Sequence, residues 1–344
     1  MGKKLRVNFL IIALIFLILA AGGIAAAFTL GKNVAVTAIM YGSGTEQDPY
    51  RIYTSDQLSN LQEITQGIQN DKHTKGKYFK LCRDVTLTTS VDMYVGEAEC
   101  SFYGVFDGCG HTVKAGNNVM FRRIAANAQV KNLNVEIDLH QTIKIYSENR
   151  AAYCGLAVEL SDGGVIENCN VKGNINIRGY KYGKYAGDAT VSGICNFNYG
   201  TIRNCTYSGN ITGAGGEMGR SLALRYVSGI AACGNGIIES CTFNGDIVLT
   251  ANAMQERVAG ISFKNTVKNS TFNGNLKFNR YTGSKNASYL GIRVSVYGIS
   301  QTCENGMFNG DILSTNRTKP SVLAVAGEGS TFVHNGIIKH TSEK

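Results

Sequence analysis

The chain of 344 residues has no tryptophan and only two prolines, and charged residues make up 17% of it. A sequence so poor in charge, with 44% apolar residues, is not a disordered chain, which combines low hydrophobicity with high charge. Glycine is frequent at 41 residues, but it lacks a three-residue period, which excludes collagen. There is no C-x-x-C pair, no Walker loop, no H-E-x-x-H and no EF-hand loop, so the usual short motifs for zinc, nucleotide and calcium sites are missing. No metal and no cofactor is therefore expected. The chain does have glycine, asparagine, threonine and isoleucine in quantity, the composition of stacked β-structure. Its net charge is +9.

The one long apolar run lies at the amino terminus. Residues 7–30 carry no charge, and Lys3, Lys4 and Arg6 precede them. About 20 apolar residues span a bilayer as a helix, and basic flanks favour the cytoplasmic side. The expected layout is a cytoplasmic basic tail at 1–6, a transmembrane anchor at 7–30 and a linker at 31–41. The main body would then be extracytoplasmic and held at the cell membrane by a single pass. Ala25-Ala26-Ala27 also fits a signal-peptide cleavage site, which would release a secreted protein instead.

A repeat organises most of the rest. Blocks beginning at Gln129, Val165, Thr201 and Ile237 follow one another at 36 residues, the next at Thr266 follows after 29, and Thr302 after 36 more. Each holds an aliphatic residue or cysteine (Val130, Ile166, Ile202, Ile238, Val267, Cys303). Two residues on comes Asn132, Asn168, Asn204, Ser240, Asn269 or Asn305. A glycine–aliphatic pair precedes the later blocks at Gly155, Gly193, Gly229, Gly260 and Gly298. Within a block the apolar period is two, a strand with one buried face. Short strands of this kind bury that face only by stacking coil upon coil. The expected fold is all-β, a right-handed parallel β-helix (solenoid) of roughly eight coils over residues 76–340, with a short tail at 341–344. In it the Asn132 file forms a left-handed bend. The Leu133/Cys169/Cys205/Cys241/Ser270 file reads as small interior residues, since free cysteine is among the most buried residue types.

Residues 42–75 form an entry module. Thr54 and Gln57 make a capping box, and Leu58, Leu61, Ile64 and Ile68 recur at helical spacing, so an amphipathic helix is expected over 55–69. Such a helix would cover the open end of the stacked sheets. The module reads Gly44-Thr45, Pro49-Tyr50, Ile52, then Gln57-Leu58 and Leu61, then Lys77-Tyr78-Phe79 and Leu81. Phe102, Gly104, Phe106-Asp107-Gly108, Gly110-His111 and Val113 complete it. This set resembles bacterial cell-surface proteins with GLUG-type repeats, within the pectin-lyase-like right-handed β-helix superfamily. The resemblance implies a surface-displayed β-helix in which the Asp107–His111 segment is a structural turn.

Asp107 and His111, four apart in a glycine-rich turn, are the weak candidates for acid–base catalysis. No nucleophile or second carboxylate accompanies them in sequence. The charge distribution says more. Between the glycine–Asn/Asp turns and the next glycine–aliphatic pairs lie six excursions: 140–154, 176–192, 212–228, 248–259, 277–297 and 313–323. They hold 14 Lys and Arg against 4 Asp and Glu, and 9 of the 17 tyrosines. Stacking would gather them on one side as a basic, tyrosine-bearing face: Arg178, Tyr180, Lys181, Tyr182, Lys184, Tyr185, Arg220, Arg225, Tyr226, Arg280, Tyr281, Lys285 and Tyr289. Such a face suits an acidic glycan, a cell-wall polymer or a surface protein. The extracytoplasmic address argues against nucleic acid. An adhesin-like, non-enzymatic binding protein is the expectation. A polysaccharide lyase or glycoside hydrolase and a purely structural surface spacer are the alternatives.

Overall fold

The computed structural model describes residues 40–65, 73–88, 101–143, 151–179, 188–214, 223–251, 255–280, 293–315 and 322–341. The anchor or signal segment at 7–30 with its flanks 1–6 and 31–39, helix residues 66–69, and tail residues 342–344 lie outside them. Among the described residues no helix is long and apolar enough to cross a membrane.

Every pairing between strands is parallel, and the strands fall into five sheets. One coil shows the path. Val165–Glu167 belongs to sheet 1, Asn170–Lys172 to sheet 2 and Ile175–Gly179 to sheet 3. Asp188–Ser192 lies in sheet 4 and Cys195–Asn198 in sheet 5, and Thr201–Arg203 re-enters sheet 1 one rung on. Sheets 1 and 2 run through nine strands each, one more rung than the roughly eight coils expected. The register is that of the repeat: Val130, Ile166, Ile202, Ile238, Val267 and Cys303 lie side by side in sheet 1. All six are buried. The chain is thus a parallel β-solenoid, consistent with a right-handed β-helix.

The bend file behaves as its side chains dictate. Asn132, Asn168, Asn204, Ser240, Asn269 and Asn305 all have φ between 48° and 54°. That is the left-handed region, which asparagine enters more readily than most residues. Asn168 donates to Asn132 and Asn305 to Asn269, each at 3.3 Å. A second ladder runs along the turn after sheet 2. The backbone N–H groups of Asn210, Asp246, Asn275 and Asp311 each donate to the side chain one rung below, at 2.8–3.0 Å. Asp246 and Asp311 are therefore turn residues.

The glycine–aliphatic motif has a packing cause. Facing it across the interior is a file of rings: Tyr207, Phe243, Phe272, Phe308 and His334. Their centroids lie 4.8–5.2 Å apart and their planes within 13° of one another. A Cβ on Gly193, Gly229 or Gly260 would sit 2.3 Å from the facing ring. The glycines leave the room that the stack occupies.

Helix α1 spans Ser55–Thr65 and follows Tyr50–Ile52, the outermost strand of sheet 1. Its capping box is formed: Gln57 N–H donates to Thr54 Oγ1 at 3.2 Å, and Gln57 Oε1 accepts from the N–H groups of Thr54 and Tyr53. Leu58 and Leu61 are buried in the main core. The far end of the rod contrasts with this covered end, since Phe332, Val333, Ile337 and Ile338 are exposed in its last coil. Replacing Thr54 by alanine should cost about 1 kcal/mol, the usual worth of such a cap. A urea-unfolding midpoint that did not move would show the cap to be idle.

Candidate functional site

The six excursions are shorter than the sequence suggested. Their outer parts are strands of sheets 3 and 4, such as Ile175–Gly179 and Asp188–Ser192, whose alternation covers only five residues. What remains are the connections 144–150, 180–187, 215–222, 252–254, 281–292 and 316–321. Each leaves a strand of sheet 3 and enters a strand of sheet 4. Their ends are thereby stacked along one flank of the rod. In sequence these connections hold eight Lys and Arg against two Glu.

Of the face residues, Arg178 is exposed at the end of a sheet 3 strand. Arg280 ends another such strand, Leu276–Arg280. Tyr180, Lys181, Tyr182, Lys184, Tyr185, Arg220, Tyr281, Lys285 and Tyr289 lie outside the described residues. Arg225 is half-buried, and Tyr226 is buried in a small cluster outside the main core with Phe263, Cys233 and Ala259. The Tyr226 ring meets Phe263 edge-on at 5.8 Å, and the Arg257 guanidinium lies 5.2 Å from its centroid. Tyr226 packs the corner between sheets 4 and 5; it does not open towards solvent.

Asp107 and His111 make separate contacts. Asp107 Oδ1 accepts from the Cys109 N–H at 2.8 Å and from Asn132 Nδ2 at 3.1 Å. His111 Nδ1 lies 3.4 Å from Asp84. Burial of Asp107 works to raise its pKa, but the Cys109 and Asn132 hydrogen bonds and the nearby Lys131 outweigh it and hold the carboxyl below its ordinary 3.8. The turn ties the entry module to the first bend, as the resemblance implied.

The cysteine file is buried, and the nine described cysteines are free. Burial pushes the Cys154 thiol up to about 12 and the Cys233 thiol up to about 11, and it raises Cys169 and Cys241 as well. Thiols so held stay neutral and are poor nucleophiles. No group of three His, Cys, Asp or Glu able to hold a metal ion occurs among the described residues.

Two more carboxylates bind the rungs together. Glu167 accepts from Gln129 on one side and Arg203 on the other, and Asp246 pairs with Lys277 at 3.0 Å. The Arg203 hydrogen bond lowers the Glu167 pKa. For Asp246, burial opposes the shift, but the Asn275 N–H and Lys277 prevail and lower it. A depressed folded pKa adds stability that is complete above the unfolded value and lost as pH falls below it. Unfolding midpoints should hold from pH 7 to about 5 and fall below about pH 4. Asp246→Asn should shrink that fall; an equal fall in the variant would refute the assignment.

Sequence reasoning missed one feature. At the corner from sheet 5 into sheet 1 lies an open depression of about 370 Å³ lined by Glu159, Ser161, Asp162, Tyr199 and Asn235. Tyr199 and Asn235 are 36 residues apart, as are Arg123 and Glu159, which pair in register in sheet 5. Arg123 holds Glu159 through both carboxylate oxygens, at 2.8 and 3.1 Å. Burial raises the Tyr199 pKa. The period itself was the available signal, had it been followed on the turn beyond sheet 5.

No known family matches the chain, and no curated protein matches it. Solved structures do. An IgA1 protease aligns with 84% of this chain at 14% identity and a TM-score of 0.51. A Bacteroides ovatus chain described as a candidate immunoglobulin A1 protease aligns with 87% at 17% identity and a TM-score of 0.44, over 86% of its own length. The chain spans about a fifth of the IgA1 protease, 21% of its length. At 14% identity the likeness to the IgA1 protease is one of fold.

Proposed function

We propose that the chain is a non-enzymatic, extracytoplasmic surface protein, adhesin-like, whose basic flank binds an anionic glycan or wall polymer. The GLUG-type resemblance, which covers about residues 42–340, supports the surface address, and the apolar run at 7–30 supports a membrane tether. The binding role is supported by the exit of all six connections from sheet 3 into sheet 4, which stacks their ends along one flank, and by the basic surplus these connections carry in sequence. A row of fixed charges along a rod concentrates acidic partners. It also engages several units of a polymer at once, so weak contacts multiply.

Neutralising Arg178, Lys181, Lys184, Arg280 and Lys285 together should cut retention on a heparin-type column at low salt and reduce its salt dependence. Unchanged retention would sink the binding role of this flank. An assay for new reducing ends or unsaturated products, run on the same glycan, would reveal an enzyme if products formed.

A further inference from the structure

From the depression at the corner between sheets 5 and 1, we propose a second binding site, for an uncharged sugar ring, separate from the basic flank. Sheets 4 and 5 lie between the two along each coil. Tyr199 is 42% exposed, which leaves a flat amphipathic surface at the edge of the depression. Around it stand the Ser161 hydroxyl, the Asp162 carboxylate and the Asn235 amide.

None of these four side chains has a hydrogen-bond partner within the described protein. Along sheet 2, by contrast, Asn170, Asn273, Asn309 and Asn335 each donate a side-chain amide to the asparagine of the preceding rung. Here two hydroxyls, an amide and a carboxylate are left to face solvent around one ring. Together they offer both donors and acceptors, the complement of a polyol whose hydroxyls both give and accept.

Charge selects against other ligands. Glu159 is neutralised by Arg123, and Asp162 is left as the unpaired charge of the lining. An anionic sugar or a phosphate would meet Asp162 without a free cation to offset it. A neutral pyranose can lay its C–H face on Tyr199 and hand its hydroxyls to Asp162 and Asn235. The volume falls within the range of small-ligand sites, roughly 300–1,000 Å³.

Affinity electrophoresis of the full chain through gels containing dextran, mannan or galactan tests the site. At least one of these neutral polysaccharides should retard the chain. Tyr199→Ala and Asp162→Ala should each weaken that retardation at least tenfold, and Tyr199→Phe, which keeps the ring, should weaken it less. Both positions are at the surface, and unchanged urea midpoints would confirm that the variants fold. The variant neutralised on the basic flank should be retarded as the parent is, so loss of heparin binding and loss of neutral-sugar binding report on different sites. Retardation by none of the three polymers, or equal retardation of Tyr199→Ala and the parent, would overturn the proposal.

Discussion

Phe243→Ala is expected to cost about 3–5 kcal/mol, the usual penalty for emptying a buried phenylalanine site. Phe243 is fully buried, and it is sandwiched between Tyr207 at 5.2 Å and Phe272 at 4.8 Å. Removing it therefore breaks two ring contacts, each worth about 0.5–1.5 kcal/mol beyond the area buried. Collapse cannot close the gap, because backbone hydrogen bonds between rungs fix the coil spacing. Phe243→Leu should cost distinctly less. In a stacked array each unit leans only on its neighbours, so the damage should begin locally. Hydrogen exchange should show lost protection first in the rungs of Tyr207 and Phe272, while α1 stays protected. An unfolding free energy within about 0.5 kcal/mol of the parent's would contradict the stacking role.

Gly229→Ala is the second large effect, and it comes from the opposite side of the same interior. The added methyl would lie 2.3 Å from the Phe243 ring and 2.4 Å from the Gly260 carbonyl oxygen. The carbonyl belongs to the backbone and cannot step aside cheaply. Overpacking of this sort costs about 1–3 kcal/mol, and the backbone clash places it at the upper end. The pair makes a sharper test. In the coil of Gly155 the facing residue is Val171 in place of a ring. Even there an added Cβ would lie 2.5 Å from the valine, so it is Phe243→Ala, which empties the space, that should recover part of the loss caused by Gly229→Ala and give a favourable coupling in a double-mutant cycle. Strict additivity would mean that glycine and ring do not compete for the same space.

Much of this architecture was legible in the sequence, for reasons the structure makes plain. In a solenoid the rung spacing is set by backbone hydrogen bonds, so equal steps in sequence become vertical neighbours. The Asn132 file, the Val130 file and the buried cysteine file could all be read from that alone. So could the capping box of Thr54 and Gln57, whose signal is local. The strands of sheets 3 and 4 were harder. Their alternation covers only a few residues, and Arg178 or Tyr226 within them looks like loop chemistry. Tyr226 is the instructive case: a tyrosine counted towards a binding face proves to be packed against Phe263 beneath Arg257. A linear sequence does not say on which side of a sheet corner a ring will fall. Tyr199 and its depression are hard to read in the sequence because the turn after sheet 5 carries no motif beyond the 36-residue step from Tyr199 to Asn235.

The coils are not all of one length. From Ile237 to Thr266 the step is 29 residues, and sheet 5 shrinks there to a single bridge, Ala231 to Ser262. Sheets 1, 2 and 3 nevertheless stay in register across it, with Ile238 beside Val267, Phe243 beside Phe272 and Ile247 beside Leu276. Pitch is fixed in this rod, but girth is negotiable. An in-frame gain or loss of one complete winding would leave every upright row of side chains intact, whatever its residue count. A cut through half a winding would offset asparagine from asparagine and ring from ring, so recombination within such a gene is tolerated only at like points of the cycle.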